Sequence, residues 1–131
     1  MRTISRQERN YSLYQLKQKK LIPGVLIYLD TPIGIQVTNL FCKFTKDLKL
    51  SASVCKEIFS IAQYINTVDE SKNLDLMTQP AIIIAGSGMA NGGRVMHHLQ
   101  HFISDAKNTV AFVGYQAKGT LGRLLVDGAK K

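Results

Sequence analysis

Two glycine-rich segments hold the residues whose types and spacing could do chemistry in this chain. The first, at positions 86–94, reads GSGMANGGR, and the second, at positions 114–123, reads GYQAKGTLGR. Each follows a short apolar run, leads into a predicted helix and contains an arginine near the start of that helix. Glycine lets a ligand approach the backbone closely, and open N–H groups together with arginine bind phosphate. The two segments therefore predict a phosphate-binding surface.

In the first segment, Ser87 and Asn91 can either hydrogen-bond a phosphate or cap the helix that follows, and the sequence leaves both roles open. Arg94 lies in the first turn of that predicted helix, beside its partial positive charge. There it can bind a phosphate or form a surface salt bridge.

In the second segment, Tyr115 can stack on a base, and Gln116 can bind a base or sugar edge. Lys118 and Arg123 can meet phosphates. The alternative interpretation makes Tyr115 a core residue and Thr120 a helix N-cap, and the sequence does not decide between the two.

Other glycine-loop chemistries fit less well. A dinucleotide-binding G-x-G-x-x-G motif needs glycine at position 91, where the chain has Asn91. The strand candidate at 109–114 also lacks, at its end, the acidic residue that would bind a ribose. No G-K-[ST] follows either segment, which excludes a P-loop. A Rossmann-like nucleotide-binding domain remains an alternative.

The three histidines, His97, His98 and His101, crowd one predicted helix. Positions 97 and 101 share a helix face, but no carboxylate lies between them and no third ligand is apparent. We therefore predict no metal site there and interpret these residues as a partly exposed helix surface. Cys42 and Cys55 lack CxxC spacing and are predicted to be reduced thiols. We predict no catalytic residue.

Strand candidates alternate with helix candidates along the chain. The predicted strands lie at 25–30, 64–67, 81–86 and 109–114, and the predicted helices lie at 8–20, from 32 onward, 51–63, 68–77, 91–102 and 121–127. This alternation indicates an α/β fold, a three-layer Rossmann-like domain with a mainly parallel sheet flanked by helices. Ligands bind at the carboxyl ends of parallel strands, so Asp30, Thr31 and Pro32 are predicted to share one rim with the glycine segments.

Length and charge point to one domain with a polyanionic partner. The 131 residues carry 17 Lys and Arg against 9 Asp and Glu, a formal net charge of +8. The excess lies at the two ends, in residues 1–20 and 80–131, which favours nucleic acid over membrane. The charge alone leaves open the alternative of a basic protein that its charge keeps soluble. No run approaches 18 apolar residues, and no apolar leader begins the chain. A cytoplasmic protein without a membrane span is predicted.

The segment SGMANGGRVMHHLQHFISDAKNTVAFVGYQAKGTLGR resembles the β-CASP region of the metallo-β-lactamase-fold RNA-processing nucleases. That family includes ribonuclease J and the cleavage and polyadenylation endonucleases. The segment VLIYLDTPIGIQVTNLF is similar to the family's strand with D-S-P followed by a helix. The resemblance covers the chain from about Tyr14 to Ala129.

The resemblance implies a cap domain that holds single-stranded RNA against a metallo-β-lactamase domain, whose two zinc ions activate water for phosphodiester cleavage. Carried over position by position, it implies a cleft rim at Asp30, Thr31 and Pro32. It implies RNA or phosphate contacts at Ser87, Gly88, Met89, Gly92, Gly93, Arg94, Gln116, Gly119, Thr120 and Arg123.

The family's metal-binding H-x-H-x-D-H and S-A-H-x-D motifs are absent from these 131 residues. The chain is therefore expected to hold no metal cofactor and not to hydrolyse RNA by itself. We interpret residues 1–131 as one β-CASP-like domain, a fragment without its metallo-β-lactamase domain. The expected partners are single-stranded RNA and that domain in the complete enzyme. An interaction module that forms a homodimer is an alternative.

Overall fold

The computed structural model describes residues 6–22, 24–34, 36, 40 and 51–128. Helices and strands alternate along these residues, as the sequence predicts, except that the last two elements are both helices. In chain order they are α1 (Arg6–Gln18), β1 (Leu26–Asp30), α2 (Ala52–Ser60), β2 (Gln63–Tyr64), α3 (Val68–Leu74), β3 (Ala81–Ala85), α4 (Val95–Phe102) and α5 (Leu121–Val126).

The three strands of the described residues form one parallel sheet in the order β2-β1-β3. In the β1–β2 pair, Tyr28 lies opposite Gln63 and Leu29 lies opposite Tyr64. Because β1 is the central strand, four of its five residues are buried, which suits its continuous apolar sequence. The predicted α/β fold class is confirmed.

The described residues fall into two compact units. We call the first the sheet unit; it takes in the described residues of Ser5–Asn66 and Thr78–Ile84. The second, the turn unit, takes in those of Thr67–Met77 and Ala85–Lys131. Both glycine-rich segments therefore lie in the turn unit, whereas nearly all of the sheet lies in the sheet unit.

The sheet unit is held by two apolar clusters. Ile27, Leu29 and Ala62 form the first, with Ile82 and Ile84 of β3 packed against it. In the second, Cys55, Ile58 and Phe59 of α2 are buried, and Tyr14 of α1 packs against them. Burying a side chain the size of Ile27 stabilises the fold by roughly 1.5–3 kcal/mol. The first of these clusters holds β1 and β3 together within the sheet.

Local signals explain where several elements begin and end. Ser51 caps α2, because its hydroxyl accepts a hydrogen bond from Val54 N–H at 3.2 Å. Thr67 and Glu70 form a capping box at the start of α3. The helix α2 ends at Ser60, before the predicted end at Gln63, because Gln63 pairs with β1.

Two predicted elements differ from the structure. The helix α4 begins at Val95 and not at Asn91, because the left-handed backbone of Ala90 and Gly93 (φ +54° and +79°) does not belong to a helix. The prediction of a strand at 109–114 is wrong, since these residues lie outside the described sheet. A β-branched sequence becomes a strand only where a neighbouring strand pairs with it.

Residues 32–34 are helical, as predicted from Thr31 and Pro32. Leu40, another apolar position of that predicted helix, is helical and exposed. Val37, Phe41 and Phe44 lie outside the described residues, as does Cys42. None of the described helices is long and apolar enough to span a membrane.

Candidate functional site

The two glycine-rich segments contact each other directly within the turn unit. Gln116 Nε2 donates to Gly88 O at 2.8 Å, and Gly122 N–H donates to Met89 O at 2.9 Å. A third bond runs from Leu121 N–H to Asn91 Oδ1, also at 2.9 Å. The segments at 86–94 and 114–123 therefore form one structure, which we call the paired turns.

Gln116 lies at the centre of the paired turns and is only 6% exposed. Besides Gly88 O, its Nε2 group donates to Gly114 O at 3.2 Å and to Tyr115 O at 3.1 Å. Its Oε1 atom is buried and has no hydrogen-bond partner among the described residues. The sequence suggested that Gln116 binds a base or sugar edge, whereas its amide nitrogen here holds three backbone carbonyls together.

Gly122 makes the close approach of the two turns feasible. A Cβ atom at this position would overlap the Gln116 side chain and would lie 3.0 Å from Met89 O. Glycine inside a helix normally costs about 1 kcal/mol relative to alanine, so its place in α5 has a packing reason. Gly122 is not among the predicted site residues, although a glycine within a short predicted helix was an available signal.

The carbonyl directions of the first turn determine where its amides point. Gly88 O and Met89 O both accept hydrogen bonds from the second turn. In a trans peptide the C=O and the following N–H point in opposite directions, so the N–H groups of Met89 and Ala90 point away from the second turn. The Ala90 N–H, in a fully buried residue, donates to Ser87 O at 3.5 Å, so the Met89 N–H is the one of the two that is left for a ligand. A backbone N–H that faces outward attracts anions.

The glycines of the paired turns serve different purposes. A Cβ at Gly88, Gly92 or Gly119 would meet no atom within 4 Å, so these positions border open space. Gly93 and Gly119 have φ of +79° and +81°, a left-handed conformation that favours glycine. At Gly93, a Cβ would also lie 3.1 Å from Gly86 O. Open glycines are suited to close approach by a ligand.

Asn91 and Thr120 both stabilise the start of α5. Asn91 Oδ1 accepts the hydrogen bond from Leu121 N–H. The sequence left open a phosphate contact or a cap on the helix that follows Asn91, and this bond is neither of these. Thr120 Oγ1 accepts from Arg123 N–H at 3.2 Å and donates to Ala117 O at 2.7 Å. The prediction of Thr120 as an N-cap is confirmed. The alternative that places Tyr115 in the core is wrong, because Tyr115 is 64% exposed.

The two arginines stand in different surroundings. Arg94 is half-buried at the N-cap of α4. Arg123 forms a two-point ion pair with Asp127, with Nε–Oδ2 at 2.9 Å and Nη2–Oδ1 at 2.7 Å. The hydrogen bond with Asp127, and then its negative charge, raise the pKa of Arg123, with a smaller contribution from Tyr115. A phosphate that binds Arg123 must therefore replace or share the Asp127 carboxylate.

The remaining predicted contacts lie on the surface of the first turn or in the sheet unit. Ser87 is half-buried and Met89 is exposed. At the end of β1, Asp30 and Thr31 are buried and Pro32 is exposed. That these three residues share one rim with the paired turns stays a prediction.

One buried polar contact was missed by the sequence analysis. His98 Nδ1 lies 2.6 Å from Asp75 Oδ1, and both side chains are less than one-tenth exposed. His101 Nδ1 lies 3.6 Å from the other oxygen of Asp75. The contact joins the end of α3 to α4, so the prediction of a helix surface is wrong for His98, whereas His97 and His101 are exposed. In the described part of the chain, no group of three or more His, Cys, Asp or Glu residues is placed to hold a metal ion.

The fold and the paired turns together define an α/β domain with glycine turns suited to anionic ligands. Comparison with known proteins gives the family. The family model described as the Beta-Casp domain matches residues 6–125, and the chain belongs to this family.

Relatives of this chain include bacterial and archaeal proteins. Ribonuclease TTHA0252 of Thermus thermophilus is 35% identical over 126 residues, which cover 92% of this chain and 29% of that protein. Transcription termination factor FttA of Methanosarcina mazei is 35% identical over 134 residues, which cover 95% of this chain and 21% of that protein. An RNase J-like protein of Methanocaldococcus jannaschii is 46% identical over 67 residues, covering 51% of this chain and 15% of that protein. The chain thus spans less than a third of the length of these relatives.

Proposed function

We propose that the paired turns bind the phosphate backbone of single-stranded RNA, and that the chain is the Beta-Casp part of an RNA-processing nuclease. Membership of the Beta-Casp family supports this proposal. So do the names of the relatives, which include a ribonuclease, an RNase J-like protein and a transcription termination factor. The formal net charge of +8 suits a polyanionic ligand.

One observation carries the proposal. The second turn occupies the carbonyl oxygens of Gly88 and Met89, and the Met89 N–H consequently points away from it, whereas the Ala90 N–H is already bonded to Ser87 O. Carbonyl oxygens repel phosphate and N–H groups attract it, so this arrangement presents the favourable side of the backbone. The open positions Gly88, Gly92 and Gly119 let a phosphate come close.

The ten predicted RNA-binding residues divide into two roles under this proposal. The direct contacts are Ser87, Gly88, Met89, Gly92, Gly93, Arg94, Gly119 and Arg123. Gln116 and Thr120 are positioning residues, because both are buried and their side chains bind the backbone of the turns. Asp30, Thr31 and Pro32 are proposed to form the rim of the RNA cleft.

Cleavage itself requires groups that the described residues do not provide. The family resemblance implies two zinc ions that activate water, and no described cluster of His, Cys, Asp or Glu fits such a site. We therefore derive no hydrolytic step from these residues. In the complete protein, we propose that a metallo-β-lactamase domain holds the zinc ions and cleaves RNA that the paired turns position.

The test is fluorescence anisotropy of a short 5′-phosphorylated single-stranded RNA at several salt concentrations. Binding should weaken as salt rises, with a slope of log K against log salt of about −0.7 for each phosphate contact. An Arg94→Ala, Arg123→Ala double variant should bind more weakly, and its slope should be smaller by about 1.4.

The matched control is Lys56→Ala, Lys72→Ala, which removes the same charge from α2 and α3. Both lysines are exposed and lie outside the paired turns. If the control weakens binding as much as the arginine variant, the RNA is held by diffuse charge and the proposal fails. Absence of binding at low salt also contradicts it.

A second candidate function is an interaction surface, and one apolar hollow in the turn unit favours it. Ile103, Val110, Phe112, Leu125 and Val126 line a hollow of about 320 Å³. Ile103, Val110 and Val126 are among the exposed large apolar residues. If two copies of the chain pair through this surface, analytical ultracentrifugation should show a homodimer. An Ile103→Lys, Val126→Lys variant should then be a monomer. A monomer at high concentration contradicts this candidate.

A further inference from the structure

Two large side chains stand exposed where the turns are bonded together. Tyr115 is 64% exposed and Met89 is 37% exposed. The backbone of each is nevertheless fixed, since Tyr115 O accepts from Gln116 Nε2 and Met89 O accepts from Gly122 N–H. A ring on a fixed backbone has only its two side-chain torsions to lose when a ligand covers it.

The exposure of Tyr115 contrasts with the burial of its neighbour. Gln116, the next residue, is 6% exposed, so the chain turns the amide inward and the aromatic ring outward. The Tyr115 hydroxyl has no hydrogen-bond partner among the described residues. An aromatic residue buries roughly 150–250 Å² when it is covered, so an uncovered ring is available to a flat apolar ligand.

The second turn also carries a cation, Arg123. A turn with both an exposed aromatic ring and a guanidinium matches the two parts of a nucleotide, a flat base and a charged phosphate. The neighbouring Met89 adds a polarizable apolar side chain.

We propose that Tyr115, flanked by Met89, is the stacking platform for one unpaired base of the RNA whose phosphates the paired turns bind. This inference rests on the proposed function and adds a preference for single-stranded RNA. The bases of a duplex are already stacked on each other and cannot cover the ring without being unpaired. The platform tolerates every base, because each base has a π-face.

The test compares two RNA probes of equal length and charge. One is a fluorescein-labelled uridine oligomer, and the other is the same backbone with abasic sites. Tyr115→Ala should weaken binding of the uridine oligomer by about tenfold, within the range reported for loss of one base–aromatic stack. It should leave the abasic probe and the salt slope unchanged. Tyr115→Phe should stay within about twofold of the wild type, since the ring is retained.

The control is Tyr11→Ala, which removes another exposed tyrosine, on α1 in the sheet unit. It should leave binding of both probes unchanged. Thermal unfolding by circular dichroism checks that Tyr115→Ala folds, as expected for an exposed side chain.

The possible outcomes separate this inference from the proposed function. If the wild type binds no RNA, the proposed function fails. If it binds RNA and Tyr115→Ala matches Tyr11→Ala on the uridine oligomer, the stacking platform is wrong and the proposed function stands. Equal weakening on both probes also overturns the platform, because that loss does not depend on a base.

Discussion

The first of the paired turns has glycines that border open space, whereas the second is held by two buried polar side chains. In the first turn, Gly88 and Gly92 border open space. In the second, Gln116 and Thr120 are buried, and Gly122 lies against Gln116. Under the proposed function, the first turn offers mainly backbone to the ligand, whereas the second both orients the first through Gln116 and adds Arg123 and Tyr115 as contacts. Two similar glycine-rich sequences therefore do not imply two equivalent binding loops.

Substitution of the close-packed glycine should have the largest effect on stability. Gly122→Val places a branched side chain into the Gln116 side chain and Met89 O, so the two turns must separate. We expect a loss in the free energy of unfolding at or above the upper end of roughly 1–3 kcal/mol, the usual cost of overpacking. Urea unfolding followed by circular dichroism measures it.

The matched substitution in the first turn is Gly88→Ala. It should change the free energy of unfolding by less than about 0.5 kcal/mol, because its Cβ meets nothing. Its RNA affinity should nevertheless fall, since the methyl group occupies the proposed path of the phosphate. Equal destabilisation by Gly122→Val and Gly88→Ala would remove the distinction between the two turns.

Gln116→Ala tests whether the second turn orients the first. The change leaves the carbonyls of Gly88, Gly114 and Tyr115 without this donor. A buried polar group without a partner costs about 1–3 kcal/mol, so the unfolding midpoint should fall. RNA affinity should fall as well, because Gly88 O is released. A stable variant with full RNA affinity would show that Gln116 does not position the turn.

Thr120→Ala should have a smaller effect. It removes the N-cap of α5, which typically costs about 1 kcal/mol. Because Asn91 also holds Leu121 N–H, the start of the helix keeps a second contact. Differential scanning calorimetry of Thr120→Ala, Asn91→Ala and the double variant measures whether the two losses add. A double variant with no more loss than either single variant would argue against two separate contacts.

Asp127→Asn should have the smallest effect on stability and should improve RNA binding. The Asp127 carboxylate is the partner of Arg123, and a negative charge at the end of α5 is unfavourable to the helix dipole. Releasing the guanidinium should tighten RNA binding roughly twofold to fivefold at low salt. The gain should disappear in an Arg123→Ala background. Unchanged affinity would indicate that Arg123 does not meet RNA.

Elements with short-range signals could be predicted from the sequence. The caps Ser51 and Thr120 act on residues three positions away, and both are residue types that favour the N-cap position. The apolar runs that form β1 and β3 also occur as predicted. Each signal is contained within the element that it defines.

Features that depend on distant partners could not be predicted in the same way. The burial of Gln116 depends on Gly88, 28 residues earlier, and the contact of His98 depends on Asp75, 23 residues earlier. The segment at 109–114 has the composition of a strand, but composition does not supply the neighbour with which a strand must pair. In the candidate site, the sequence identified both turns but not their mutual contact.

The spacing of the bonds between the turns has a consequence for how the chain folds. The bonds from Gln116 and from Leu121 span 28 and 30 residues, so the ends of long loops must meet before these bonds form. Contacts of this range form later than local helical contacts. During synthesis, the first turn cannot acquire its full set of carbonyl partners until the ribosome has released Gly122. The bonded shape of the first turn should therefore appear only after the chain has been made as far as Gly122.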